Sequence, residues 1–129
     1  MVIEYFTDKE LSCGCGCGKK SPKDSVQRLY ALRLLLRTPM YINSSVRCIK
    51  HNELVGGVDG SMHLLPEDRL GESETWYGGA FDINSRTWTN SEYTKYDIVY
   101  KAMQVGFTGI GIYKTFIHID DAITKTRIW

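Results

Sequence analysis

Between Gly109 and Asp120 the chain runs Gly-Ile-Gly-Ile-Tyr, pauses at Lys114-Thr115, and resumes as Phe-Ile-His-Ile-Asp. Isoleucine at every second position is the period of a strand. The spacing predicts two short strands, Gly109 to Tyr113 and Phe116 to Ile119, joined by a tight turn. Alternate side chains of a strand share a face, so His118 and Asp120 point to one side and the isoleucines to the other. One face of this hairpin needs a core, and the other is open for chemistry.

Two helices are predicted to supply the core. Ser21-Pro22-Lys23-Asp24 is a helix start, with a capping Ser, Pro at the first helical position and Asp in the first turn. Val26, Leu29, Tyr30, Leu32, Leu35 and Leu36 then form a broad apolar face to about Arg37, and Pro39 bars continuation. Ser91 is expected to cap the second helix, with Tyr96, Val99, Tyr100 and Met103 on its buried face and Gly106 ending it. Met40-Tyr41-Ile42 and Ala80-Phe81-Asp82-Ile83 read as strands, and Ile123 to Ile128 as one more at an edge. Cys48 to Val55 suits one or two helical turns stopped by Gly56-Gly57. The expected architecture is a single α+β domain over residues 1–129, two main helices packed on a small antiparallel sheet. A chain of 129 residues with 43% hydrophobic content can bury a core of that modest size.

The open face carries the candidates for function. Three histidines exist, His51, His63 and His118. Catalytic zinc usually takes three protein ligands from His, Asp, Glu or Cys and leaves a fourth position for water. His63, Asp82 and His118, on separate short elements, satisfy that count. His51 falls in a helical turn outside the pattern and is read as structural.

These residues also carry a resemblance. Ser61-x-His63, Gly78-x-Ala80-x-Asp82, and Gly109 to Tyr113 running into Phe116-x-His118-x-Asp120 resemble the zinc D-alanyl-D-alanine carboxypeptidases and endopeptidases of bacterial cell-wall metabolism, peptidase family M15. That fold is shared with the amino-terminal signalling domain of Hedgehog proteins. Ile42-Asn43-Ser44-Ser45-Val46-Arg47 resembles the family's Ser-Gly-Tyr-Arg turn, and His51-Asn52 followed by Val55-Gly56-Gly57 also matches. The likeness runs from Tyr5-Phe6 to Arg127-Ile128-Trp129. It implies a zinc metallopeptidase that hydrolyses a peptide bond in peptidoglycan, as a carboxypeptidase or as an endopeptidase on cross-links or stem peptides, with zinc-activated water as nucleophile. His63, Asp82 and His118 are the implied zinc ligands. Arg47 takes the family position whose guanidinium binds the substrate carbonyl or carboxylate. Ser61 resembles the Ser beside the first ligand and is expected at substrate or backbone. Tyr113 and Trp76 are read as cleft lining or core.

Two departures accompany the match. In the family the first His and the Asp lie in a compact Ser-x-His-x-x-Gly-x-Ala-x-Asp, whereas here Leu64 to Phe81 intervene. Pro66 to Tyr77 reads as a polar, acidic loop insertion expected beside the metal. Several family members also place an acidic residue three positions before the last His, where this chain has Thr115. Asp120 is the expected substitute as proton acceptor, or else orients an imidazole. Glu72 and Glu74 are further candidates. Loss of that acidic residue favours the alternative of a zinc-containing module that binds cell wall or protein without cutting it.

Cys13-Gly-Cys15-Gly-Cys17 and Cys48 leave several readings open. Four thiolates around a second zinc are one, although such sites usually space paired cysteines more widely. Family members with a similar cysteine-rich start suggest a disulfide or close thiol pair between Cys48 and one of the other three. Free thiols are the third reading, suited to a reducing compartment. The net charge of +1, without a concentrated basic face, gives no reason to expect nucleic acid. No apolar run approaches the roughly 18 residues needed to span a bilayer. The first residues lack the basic and apolar regions of a secretory signal. A monomer made in the cytoplasm is therefore expected, one that reaches a cell-wall substrate only when released, as a phage-borne enzyme would be.

Overall fold

The computed structural model describes residues 4–58, 60–69, 78–89 and 91–129. Helix α1 (Lys23–Leu36) begins just after Pro22 and ends where Arg37 turns left-handed at φ 55°. Ser21 does not cap it: no side chain does, and the Ser21 hydroxyl finds no partner among the described residues. Leu29, Leu32 and Leu36 are fully buried, while Leu35, expected among them, is 40% exposed.

Strand β1 (Ile42–Ser44) and the short helix α2 (Ile49–Leu54) follow. Pro66–Asp68 forms a single 3₁₀ turn inside the expected insertion. Just after it, buried Arg69 donates from Nε to the Leu64 carbonyl at 3.1 Å and from Nη2 to Met62 and Gly78 at 3.0 and 2.8 Å. The start of the segment is thus fastened to the body. Residues 70–77, with Glu72, Glu74 and Trp76, lie outside the described residues.

Strand β2 (Ala80–Asn84), the helical turn α3 (Arg86–Thr89) and helix α4 (Lys95–Gln104) come next. Helix α4 starts later than Ser91 because Thr94 and Asp97 form a reciprocal capping box. Its buried face is accordingly Ile98, Val99 and Ala102, while Tyr96 and Tyr100 are each 64% exposed and Met103 is 38% exposed. Gly106, at φ 106°, follows its end as expected. Strands β3 (Gly109–Ile112), β4 (Phe116–Asp120) and β5 (Arg127–Ile128) complete the chain.

The sheet has the order β1-β2-β4-β3-β5. Its first four strands pair antiparallel, and β5 joins β3 in parallel. Only the last two residues of the expected Ile123–Ile128 edge strand pair. One face buries Phe81, Ile83, Ile110, Ile117 and Ile119 with Leu29, Leu32, Leu36, Ile98 and Phe107 in a continuous core. Among the described residues no helix is long and apolar enough to cross a membrane.

Candidate metal centre

Strands β2 and β4 are neighbours, and Asp82 lies directly opposite His118, which in turn faces Gly111 on β3. Buried Phe81 and Ile83 beside Asp82, and Ile117 and Ile119 beside His118, force Asp82 and His118 onto the open face. His63 arrives from another direction. Its carbonyl accepts the Arg47 N–H at 2.8 Å, and Arg47 pairs with Leu64 in an isolated parallel bridge. Buried at 4% exposure, His63 is held against the sheet by the Ser45–Arg47 turn.

Partners fix the tautomers. His63 Nδ1 lies 2.6 Å from the Ser45 carbonyl, which can only accept, so the proton is on Nδ1 and Nε2 is bare. That Nε2 sits 3.1 Å from Asp82 Oδ1. His118 has the opposite arrangement, with Nε2 2.8 Å from Asp120 Oδ2 and Nδ1 3.2 Å from Asp82 Oδ1. Because Asp120 is paired with Arg127 it accepts, and the His118 proton belongs on Nε2. Two bare ring nitrogens and a carboxylate oxygen therefore converge, all within 4.8 Å of one another. Three lone pairs aimed at one point repel unless a cation or a proton lies between them. The donor set is that of a zinc site.

Electrostatics support the same reading. Burial opposes charge on Asp82, yet the facing His118 and His63 rings, when protonated toward it, hold its carboxyl well below the usual carboxylate range. Burial also disfavours charge on Asp120, and here His118 and Arg127 prevail and keep it ionised.

The centre forms one wall of a cleft of about 380 Å³ that also includes Arg47, Ser61, Tyr113, Phe116, Arg127 and Trp129. Arg47 is fixed by Ser44 Oγ at 3.3 Å and Asn52 Oδ1 at 3.0 Å, and its Nη2 lies 3.8 Å from Asp82 Oδ2. Ser61 Oγ accepts the His63 N–H at 3.2 Å. Tyr113 stacks on Phe116 with ring centres 4.4 Å apart, and its hydroxyl accepts from Trp129 Nε1 at 2.8 Å.

Asp120 does not line this cleft. It is fully buried behind His118, and its other oxygen accepts from Arg127 Nη2 at 2.5 Å and from the Ala122 N–H at 3.3 Å. Neither oxygen is open to a substrate. Thr115 is exposed at the hairpin turn, and His51 packs elsewhere, near Gly14.

Sequence reasoning gave no role to Arg127 or Trp129, which the parallel pairing of β5 brings over the site. The signal was in the glycines of β3. A Cβ on Gly109 would meet Arg127 Nη2 at 2.5 Å, and one on Gly111 would meet the Trp129 indole at 2.8 Å. Glycine at both positions leaves room for the two side chains that pack behind and beside His118.

A family model described as Peptidase M15 matches residues 4–120. No curated protein and no solved structure matches the chain.

Proposed function

Because the chain belongs to the peptidase M15 family, we propose that it is a zinc metallopeptidase acting on peptides of bacterial peptidoglycan, as a carboxypeptidase or an endopeptidase. The observation that carries this reading is the convergence of His63 Nε2, Asp82 Oδ1 and His118 Nδ1 on the wall of an open cleft. A zinc ion held there supplies a Lewis acid and makes water a nucleophile near neutral pH.

The chain's own residues do the rest. Asp120 holds the His118 ring, keeping the proton on Nε2 and Nδ1 bare, so its role is to position a ligand rather than to take a proton from substrate. Arg47, immobilised by Ser44 and Asn52, presents a cation that binds the carbonyl or terminal carboxylate and stabilises developing negative charge. Arg127 also lines the cleft; Asp120 holds its Nη2, and its Nη1 can donate to a substrate carboxylate. Ser61 and the Tyr113 hydroxyl offer hydrogen-bond donors to the peptide. Among the described residues, Asp82 is the one carboxylate of the cleft wall. Within residues 66–77, Asp68 is paired with Lys19 at 2.7 Å, and the proton transfer is proposed for one of the other carboxylates of the segment, Glu67, Glu72 or Glu74.

Mass analysis of purified muropeptides before and after incubation with the zinc-loaded protein tests the activity. New cleavage products are expected. Their absence across a broad panel would favour a zinc-containing binding module. Arg47→Ala should lower kcat by about 10²–10³-fold with zinc content unchanged.

Asp120→Asn separates positioning from proton transfer. Zinc binding should weaken by roughly 10–100-fold, with activity restored by excess zinc. A turnover defect that persists at full zinc occupancy would instead make Asp120 the proton acceptor.

Protons compete with zinc for His118 Nδ1. Burial disfavours the imidazolium, but the hydrogen bonds with Asp120 and Asp82 outweigh it and raise the pKa above 6.5. Zinc affinity should therefore start to fall above pH 6.5 on acidification, steepening toward about tenfold per pH unit for one competing proton. Titration against a chromophoric chelator measures this, and an affinity unchanged down to pH 6 would contradict it.

A further inference from the structure

Away from the cleft, the four cysteines meet. Cys13, Cys15 and Cys17 share one loop, Cys48 precedes α2, and the four Sγ atoms all lie within 4.8 Å of one another. Cys13 Sγ is 3.3 Å from Cys15 Sγ, which is 3.6 Å from Cys48 Sγ. All four are thiols. A disulfide would join two sulfurs at about 2.0 Å, well short of either of these separations. Four thiolates bound to a tetrahedral zinc at about 2.3 Å stand roughly 3.8 Å apart, the scale seen here.

We propose that Cys13, Cys15, Cys17 and Cys48 hold a second, structural zinc ion, separate from the His63–Asp82–His118 centre. The close spacing that argues against such a site in the sequence is accommodated by the glycines between and just after the cysteines. Gly16 and Gly18 adopt φ of 81° and 92°, a conformation in which side-chain-bearing residues are strained. The loop closes through Cys13 N–H to the Lys19 carbonyl at 2.8 Å and Gly16 N–H to the Cys13 carbonyl at 3.1 Å. Backbone N–H groups already point at sulfur: Cys48 N–H donates to Cys13 Sγ at 3.4 Å, and His51 N–H to Cys48 Sγ at 3.3 Å. Such donors favour thiolate over thiol. Residues 4–20 contain no helix and only the single bridge Ser12–Lys20; Phe6 is buried in the core and Lys19 pairs with Asp68, and a metal adds a further tie between this segment and Cys48. It does so next to Arg47, the neighbour of Cys48, and so steadies the turn on which the cleft's cation sits.

The proposal does not depend on peptidase activity and is tested by counting metal. Chain purified with reductant and Zn²⁺ should carry two zinc ions in native mass spectrometry. His118→Ala should keep one, and the double variant Cys15→Ser, Cys17→Ser should keep only the other. Co²⁺ loaded into His118→Ala should show thiolate-to-metal charge-transfer absorption. If the serine variant fails to fold, the unsubstituted chain still decides. Its cysteines should resist iodoacetamide until EDTA is added. Cysteines alkylated equally fast with and without EDTA, a His118→Ala chain devoid of zinc, or a mass short of the reduced chain by the hydrogens of a disulfide would each overturn the proposal.

Discussion

Replacing His118 by alanine should strip the His63–Asp82–His118 centre of its zinc and lower peptide hydrolysis by on the order of 10³-fold or more, the loss of several kcal/mol of transition-state stabilisation. Two ligands would remain, too few for a site that ordinarily needs three. The chain should still fold. His118 stands on the open face of the sheet, its β4 neighbours Ile117 and Ile119 carry the core contacts, and Asp120 keeps Arg127 and the Ala122 N–H. Zinc content, circular dichroism and muropeptide turnover on one preparation check all three parts. Retained turnover at the parental rate would remove His118 from the ligand set.

The second large effect falls away from the cleft. Asp121 is 2% exposed and accepts hydrogen bonds from Ser25 Oγ at 2.7 and 3.0 Å, Arg28 Nη1 at 2.7 Å and the Gly79 N–H at 2.8 Å. It ties α1 to the chain just before β2 and just after β4. Asp121→Ala would leave a buried hydroxyl, a buried N–H and a guanidinium without their acceptor. Breaking a buried ion pair costs about 3–5 kcal/mol, and because Arg28 is partly solvated the lower end applies. A fall in melting temperature of about 10 °C is expected. Denaturant unfolding measures it, and a change below about 1 kcal/mol would show that water replaces the carboxylate without loss. Since Gly79 leads directly into β2, zinc affinity at Asp82 should weaken in the same variant.

The sequence was most legible where periodicity and ligand chemistry agreed. The alternation around His118 and the Ala80–Ile83 strand placed two of the proposed ligands on one open face, where the fold also brings His63. Three things escaped. Helix α4 was given the wrong start because Ser91 was preferred over Thr94, although Thr94-x-x-Asp97 is itself a capping signature, and the buried stripe turned with it. Asp120 was left between a proton acceptor and a group that orients an imidazole because strand alternation gives a side chain's face but not its partner. Only the fold brings Arg127 to Asp120 from a strand with two paired residues. Asp121 was silent because its partners Ser25, Arg28 and Gly79 are far from it in sequence, and no local pattern marks a carboxylate that joins distant segments.

Arg69 has a consequence for how such chains diversify. Its guanidinium grips Met62 and Leu64 on one side and Gly78 on the other, closing the neck of the segment between His63 and Asp82. Below that neck, His63 and Asp82 are set by Ser45, Arg47 and the sheet. The distance along the chain is thereby uncoupled from the distance in space. Doubling the length of a flexible loop costs only about 0.6 kcal/mol of closure entropy, far less than displacing a ligand. Lineages that keep Arg69 can therefore lengthen, shorten or rewrite the residues beyond it at little energetic penalty. New surfaces can be sampled over an unchanged His63–Asp82–His118 floor.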